Sequence, residues 1–239
     1  MAVLFSNFNS HLNKYCQSEL VEDGFLTKTG FNNTKFYFMK KILLSFTVIA
    51  SIASMSFTIS TTLPIGSTIP KADIKLKDIS GKEVSIKDVT KENGVLVMFS
   101  CNTCPYVVKN QQRTLAVATY AEKNNVGVII LNSNEGQRND DDSYEAMKAY
   151  AREQGYKWHY VVDKNNELAD AFGANRTPEC FLFNKEMKLV YHGAIDDNPT
   201  DADNVKRHHL QEAITEMAAG KEVSYKESRS VGCGIKRKG

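Results

Sequence analysis

Cys101 and Cys104 form a Cys-x-x-Cys pair that follows the apolar run Val95-Leu96-Val97-Met98-Phe99 after the single residue Ser100 and directly precedes Pro105. Five consecutive apolar residues suit a strand buried on both faces of a sheet. The residues after Pro105, with Tyr106, Val107, Val108, Leu115 and Ala118, read as a helix with an apolar stripe. This spacing predicts Cys101 at the first turn of that helix. Unpaired N–H groups and the positive end of the helix dipole there favour a thiolate, so a thiol pKa of ~8.5 would fall to somewhere between ~3.5 and ~7.5. A thiolate attacks disulfides, and Cys104 is placed to attack the resulting mixed disulfide and release the partner. Pro105 suits a first helical turn, where a missing N–H costs little.

Structural zinc asks for two further Cys or His ligands at short spacing, and the sequence has no second Cys-x-x-Cys or suitably spaced His pair, so no metal and no cofactor is expected. With 239 residues, 42% of them hydrophobic and 24% charged, the composition is that of a globular protein with one main domain. A net charge of +2 argues against a nucleic-acid partner, which would call for a basic patch or stripe.

Positioning the pair requires a sheet and its crossovers. Residues 1–38 show no lasting period and are expected to be a spurious extension. Met39-Lys40-Lys41 and the apolar run Ile42 to Ala53 have the form of a secretory signal over 39–56, cleaved after Ala53 or Ser56. Such a leader implies a periplasmic or secreted protein, membrane-anchored only if the segment stays uncleaved. Residues 57–70 hold two prolines and read as a linker or extended lead-in, and 71–239 as the folded domain. Ile74 and Leu76, then Val84 and Ile86, alternate with polar residues around Ser80-Gly81-Lys82, predicting a hairpin.

Beyond the Cys101 helix, Val126 to Leu131 is a second buried strand, parallel to the first with the helix as crossover. Asp142-Ser143-Tyr144-Glu145 reads as a capping box opening a helix that ends at Gly155, and Asn139 to Asp142 as its solvated approach. Trp158 to Val162 is a third strand and Glu167 to Ala174 a short helix. Thr177-Pro178 leads into a hairpin of Glu179 to Phe183 and Leu189 to Tyr191. A last helix runs from about Val205 to Ala219, with Gly220 as its stop.

Taken in order, Phe99-Ser100-Cys101-Asn102-Thr103-Cys104-Pro105-Tyr106-Val107, Gly173-Ala174-Asn175-Arg176-Thr177-Pro178, Phe181-Leu182-Phe183, Tyr191-His192-Gly193-Ala194-Ile195-Asp196-Asp197-Asn198, and Gly232-Cys233 with Ile235-Lys236 resemble the redoxins. This is the alkyl hydroperoxide reductase and thiol-specific antioxidant superfamily, and within it the peroxiredoxin-like thioredoxin family proteins. The resemblance covers roughly Pro64 to Lys236. It implies an α/β thioredoxin-like fold, with a central mixed sheet, helices on both faces and an N-terminal β-hairpin. It also implies a cis Thr177–Pro178 bond against Cys101, with the backbone at Thr177 free to hold an extended substrate. Two departures stand out. Ser100 precedes Cys101 where thioredoxins commonly carry Trp, and Gly234 and Arg237 stand where the family tends to have Ser and Trp.

The expected activity is that of an exported thiol-disulfide oxidoreductase in antioxidant redox homeostasis. Cys101 attacks, Cys104 resolves, and Thr177 and Pro178 bind substrate. The partners are protein or small-molecule thiols and disulfides, with an upstream thiol reductant or oxidant. A thiol peroxidase is the alternative, although the Pro and Thr that a peroxiredoxin carries seven and three residues before its cysteine are replaced by Val97 and Cys101, or by Gly94 and Met98. A copper chaperone using His192 is a further alternative, its cysteines normally one residue further apart. Any carboxylate proton donor would have to be Glu179 or Asp196, if the fold brings either close. Cys180 reads as a buried apolar residue, and Cys233, in a polar tail, as an accessory thiol able to reach Cys101 or Cys180.

Overall fold

A computed structural model describes residues 62–238, so the extension expected over 1–38 and the leader over 39–56 lie outside the described residues. Residues 62–70 run along the domain, with a turn at Ile65-Gly66. Leu63 N–H donates to Phe172 O, Gly66 N–H to Leu189 O and Ile69 N–H to Met187 O, and Ile69 is buried.

The hairpin is β1 (Leu76–Asp78) and β2 (Glu83–Val84), followed by the single turn α1 (Ile86–Val89), which Ser85 and Asp88 cap reciprocally. Then come β3 (Val95–Ser100), α2 (Pro105–Lys123), β4 (Gly127–Asn132), α3 (Tyr144–Gln154) and β5 (His159–Val162). The second half is α4 (Glu167–Phe172), β6 (Arg176–Thr177), β7 (Glu179–Phe183), β8 (Leu189–Gly193), α5 (His209–Ala218) and β9 (Cys233–Gly234). Helix α5 begins later than periodicity suggests because Val205 is extended, with ψ of 123°.

Seven strands form one mixed sheet in the order β2-β1-β5-β4-β3-β7-β8. β3, β4 and β5 are parallel, and β7 and β8 return antiparallel beside β3. Parallel neighbours need crossovers, which α2 and α3 supply. Because successive side chains point to opposite faces, β3 feeds two cores. Leu96 and Met98 pack with Val117, Met147, Leu210 and Ile214 from α2, α3 and α5. Val95, Val97 and Phe99 pack with Ile86, Leu168, Phe172 and Ile69 on the other side. This two-sided covering explains why β3 reads as an unbroken apolar run. At its foot Gly94, with φ of +121°, passes so close to β7 that a Cβ would stand 2.0 Å from Phe183 O. Among the described residues no helix is long and apolar enough to cross a membrane.

Candidate dithiol site

Strand β3 ends at Ser100, and the chain bends through Cys101-Asn102-Thr103 before α2 starts at Pro105. Cys104 is the N-cap residue of that helix, with extended backbone, so Cys104 and not Cys101 occupies the helix N-terminus. Proline at the first helical position accounts for this, since its fixed φ and absent N–H suit N1 and put the cap one residue earlier.

Both thiols are buried, Cys101 at 2% and Cys104 at 5% exposure, while Thr103 between them faces solvent. Thr177 lies over both. Its Oγ1 is 3.4 Å from Cys101 Sγ, and its carbonyl accepts from the Cys104 thiol at 3.3 Å. The Thr177–Pro178 bond that follows is cis.

The two sulfurs titrate as a pair. Hydrogen bonding from the Cys101 thiol, supplemented by Cys233 and the Val107 N–H, holds Cys104 far below the usual thiol range even though burial opposes it. Cys101 is pushed up by its hydrogen bond with Cys104, then by burial and by the charge of Asp142, with the Thr177 hydroxyl working the other way. The first proton of the pair therefore leaves easily and the second with difficulty, and the helix N-terminus at Cys104 favours the charge on that side. The expected consequence is that iodoacetamide labels Cys104 of the reduced protein first, and still does so well below pH 7. An ordinary thiol of pKa ~8.5 would have lost its reactivity there. The rate against pH, with the labelled peptide identified by mass spectrometry, measures it.

The turn that carries the pair is fixed from behind by a buried polar network. Asn102 N–H donates to Asp142 Oδ1 at 2.9 Å and Asn102 Nδ2 to Asp141 O at 2.7 Å. Asn132 Nδ2 reaches Asp142 Oδ1 at 2.7 Å, Asn134 Nδ2 reaches Asp142 Oδ2 at 2.8 Å, and the Tyr160 hydroxyl donates to Asn102 Oδ1 at 2.8 Å. Asp142 is fully buried, so the solvated approach expected for Asn139 to Asp142 does not extend to it. Ser143 caps α3 instead, accepting from Ala146 N–H at 3.3 Å, which frees Asp142 to turn inward. A sequence signal existed: Asn132-Ser133-Asn134 continues the apolar strand β4, and buried amides there require a partner.

The two carboxylates that could serve as proton donors only if the fold brought them close, Glu179 and Asp196, have other partners. Glu179 Oε2 accepts from the N–H groups of Asn175 and Arg176 at 2.8 and 3.0 Å, and its Oε1 is 2.8 Å from His192 Nε2. Asp196 is held by Arg113, whose Nη1 donates to Oδ1 at 2.9 Å and to Oδ2 at 2.8 Å. Arg113→Met leaves that carboxylate buried without its cation. The expected loss is about 3–5 kcal/mol of stability, read from urea denaturation.

Cys180 is fully buried on β7, and burial pushes its thiol up. Cys233 does not lie in a free tail and does not meet Cys180. On β9 it pairs with Thr177, and it packs against the patch of Cys101, Cys104 and Val107, where its thiol acts on Cys104. The four cysteines of the described residues are free thiols.

A dithiol at the end of a central strand, next to a helix N-terminus and roofed by a threonine that precedes a cis proline, is thus set into a thioredoxin-like fold. The chain matches the Redoxin family over residues 64–207 and belongs to it, which makes it an oxidoreductase acting on thiols. An uncharacterized conserved protein from Geobacillus kaustophilus is 32% identical, with a TM-score of 0.69 over 74% of this chain and 94% of its own. A hypothetical protein from Sinorhizobium meliloti 1021 is 29% identical, with a TM-score of 0.68 over 74% of this chain and 97% of its own. The thiol-disulfide oxidoreductase ResA of Bacillus thuringiensis is 24% identical over 128 residues, 54% of this chain and 68% of its own.

Proposed function

We propose that this redoxin is an exported thiol-disulfide oxidoreductase, with Cys101 and Cys104 as its redox pair, acting in antioxidant redox homeostasis. The observation that carries the reading is the placement of both sulfurs under Thr177, at 3.4 Å from its hydroxyl and 3.3 Å from its carbonyl. A substrate segment lying along Thr177 and Pro178 brings its own sulfur to the pair.

Its place at the helix N-terminus gives Cys104 the attacking role in this reading, where the sequence pointed to Cys101. The Cys104 thiolate attacks one sulfur of a substrate disulfide, and the other leaves as a thiolate that takes a proton. Cys101 then loses its proton and attacks the Cys104 sulfur, forming Cys101–Cys104 and releasing the second substrate thiol. The pair is oxidised as the substrate is reduced, and an upstream thiol of the reductant class restores it; the reverse sequence donates the disulfide. The basic and apolar segment over residues 39–56 supports export.

Equilibration of the folded domain with glutathione buffers tests the redox reading. Reversible formation of Cys101–Cys104 is expected. A potential near ~−270 mV would make the protein a reductant and one near ~−120 mV an oxidant, while failure to form the bond reversibly overturns the reading. Sequencing the amino terminus of precursor and mature protein tests export. A mature product that retains Cys16 overturns that part.

A further inference from the structure

The carboxyl-terminal segment closes over the dithiol and presents a third sulfur to it. Antiparallel pairing sets Cys233 opposite Thr177 and Gly234 opposite Arg176, and Ile235 N–H donates to Asn175 O at 3.0 Å. Ile235 is buried in the core beneath, and Arg237 Nη2 donates to Ala174 O at 2.8 Å. Gly232 passes so close that a Cβ would stand 2.1 Å from Thr177 O. That carbonyl is the one that receives the Cys104 thiol, so the register of β9 on β6 brings Cys233 to Cys104. The segment is also tied to the back of the site: Lys236 N–H donates to Asn134 Oδ1 at 2.8 Å, and Asn134 holds Asp142. Cys233 is half-buried, whereas Cys101 and Cys104 are buried.

We propose that Cys233 is a third redox thiol, and that Cys104 is the shared partner of two alternative disulfides, one with Cys101 and one with Cys233. This rests on the reading of Cys101 and Cys104 as the redox pair. In the exchange, the Cys233 thiolate attacks Sγ of Cys104, the Cys101–Cys104 bond breaks, and Cys101 leaves as a thiolate that takes up the proton Cys233 released. No external oxidant is consumed. The oxidised equivalent moves from the buried pair to the more exposed Cys233, where an upstream protein thiol attacks and expels the Cys104 thiolate. Cys104, the sulfur at the helix N-terminus, is the leaving group of that second step.

Disulfide mapping of the full chain after equilibration in glutathione buffer, acid quenching and alkylation tests this. In the unaltered protein both bonds are expected within about tenfold of each other in abundance, equivalent to about 30 mV. Cys101→Ser is expected to hold Cys104–Cys233 as a monomer. Free, alkylated Cys104 and Cys233 in that variant, or disulfides between molecules, overturn the proposal while a normal Cys101–Cys104 bond leaves the redox-pair reading standing. Absence of any reversible Cys101–Cys104 bond strikes the underlying reading instead. Should Cys101→Ser fail to fold, Cys101→Ala is mapped in the same way. Cys233→Ser supplies the second readout. Reduction of its Cys101–Cys104 bond is expected to slow about tenfold more with a protein dithiol such as thioredoxin than with dithiothreitol, and an equal slowing with both overturns the relay role.

Discussion

Cys104→Ser is expected to reduce disulfide turnover to the uncatalysed background, whereas Cys101→Ser keeps the first attack. The asymmetry follows from where the helix begins. Cys104 caps α2, with the Val107 N–H and two neighbouring thiols acting on its sulfur, and the charge of the reduced pair collects there. Serine at that position removes the nucleophile, and its hydroxyl, with no comparable tendency to ionise, does not replace it. Cys101 is left protonated by its burial and by the Asp142 charge, so it does not take over the attack. With Cys101 and Cys233 both replaced by serine, the mixed disulfide formed on Cys104 has no neighbouring thiol to resolve it and accumulates. Thiol release from a peptide disulfide measures turnover, and intact-mass analysis of Cys101→Ser/Cys233→Ser counts the trapped adduct. A stable adduct on Cys101 in the Cys104→Ser variant would assign the attack to Cys101 instead.

Legibility from sequence divided along the distance over which each feature is encoded. The path from β3 through Cys104 is local, an apolar run followed by two cysteines and a proline, and the parallel strands and crossovers follow from hydrophobic period and loop length. Thr177-Pro178 is equally local and lies over the pair. The placement of Cys101 at the helix N-terminus is what the structure corrects: Pro105 marks N1 and hence Cys104 as the cap. Asp142 was hidden differently. An acidic residue in Asn139-Asp140-Asp141-Asp142 has the composition of a solvated loop, and only the competing cap at Ser143 releases it to turn inward. For the tail no local pattern exists. Cys233 reaches Cys104 only because β9 pairs in one register with β6, and that register depends on Ile235 finding the core and Lys236 finding Asn134.

Asp142→Asn is expected to change both stability and redox behaviour, because one buried carboxylate serves both. Three N–H donors converge on its two oxygens, from Asn102, Asn132 and Asn134. An asparagine offers one carbonyl oxygen and presents an NH2 to the remaining donor, so at least one buried amide loses its acceptor. The expected cost is about 2–3 kcal/mol, read from urea denaturation of the reduced protein. The redox effect has a definite sign. The Asp142 charge opposes the share of the pair's negative charge that reaches Cys101 through its hydrogen bond with Cys104, so its removal stabilises the reduced pair while leaving the uncharged disulfide unaffected. Glutathione equilibrium should therefore give a less negative potential for Asp142→Asn, and alkylation of Cys101 should begin at lower pH than in the parent. Leu210→Ala separates this from a general loosening of the fold. Leu210 is buried among α2, α5 and the sheet, away from the polar network, so the truncation costs a comparable amount of stability without moving the potential. A potential that shifts equally in both variants would reduce Asp142 to scaffolding; a shift confined to Asp142→Asn makes it the group that sets how strongly the pair holds its electrons.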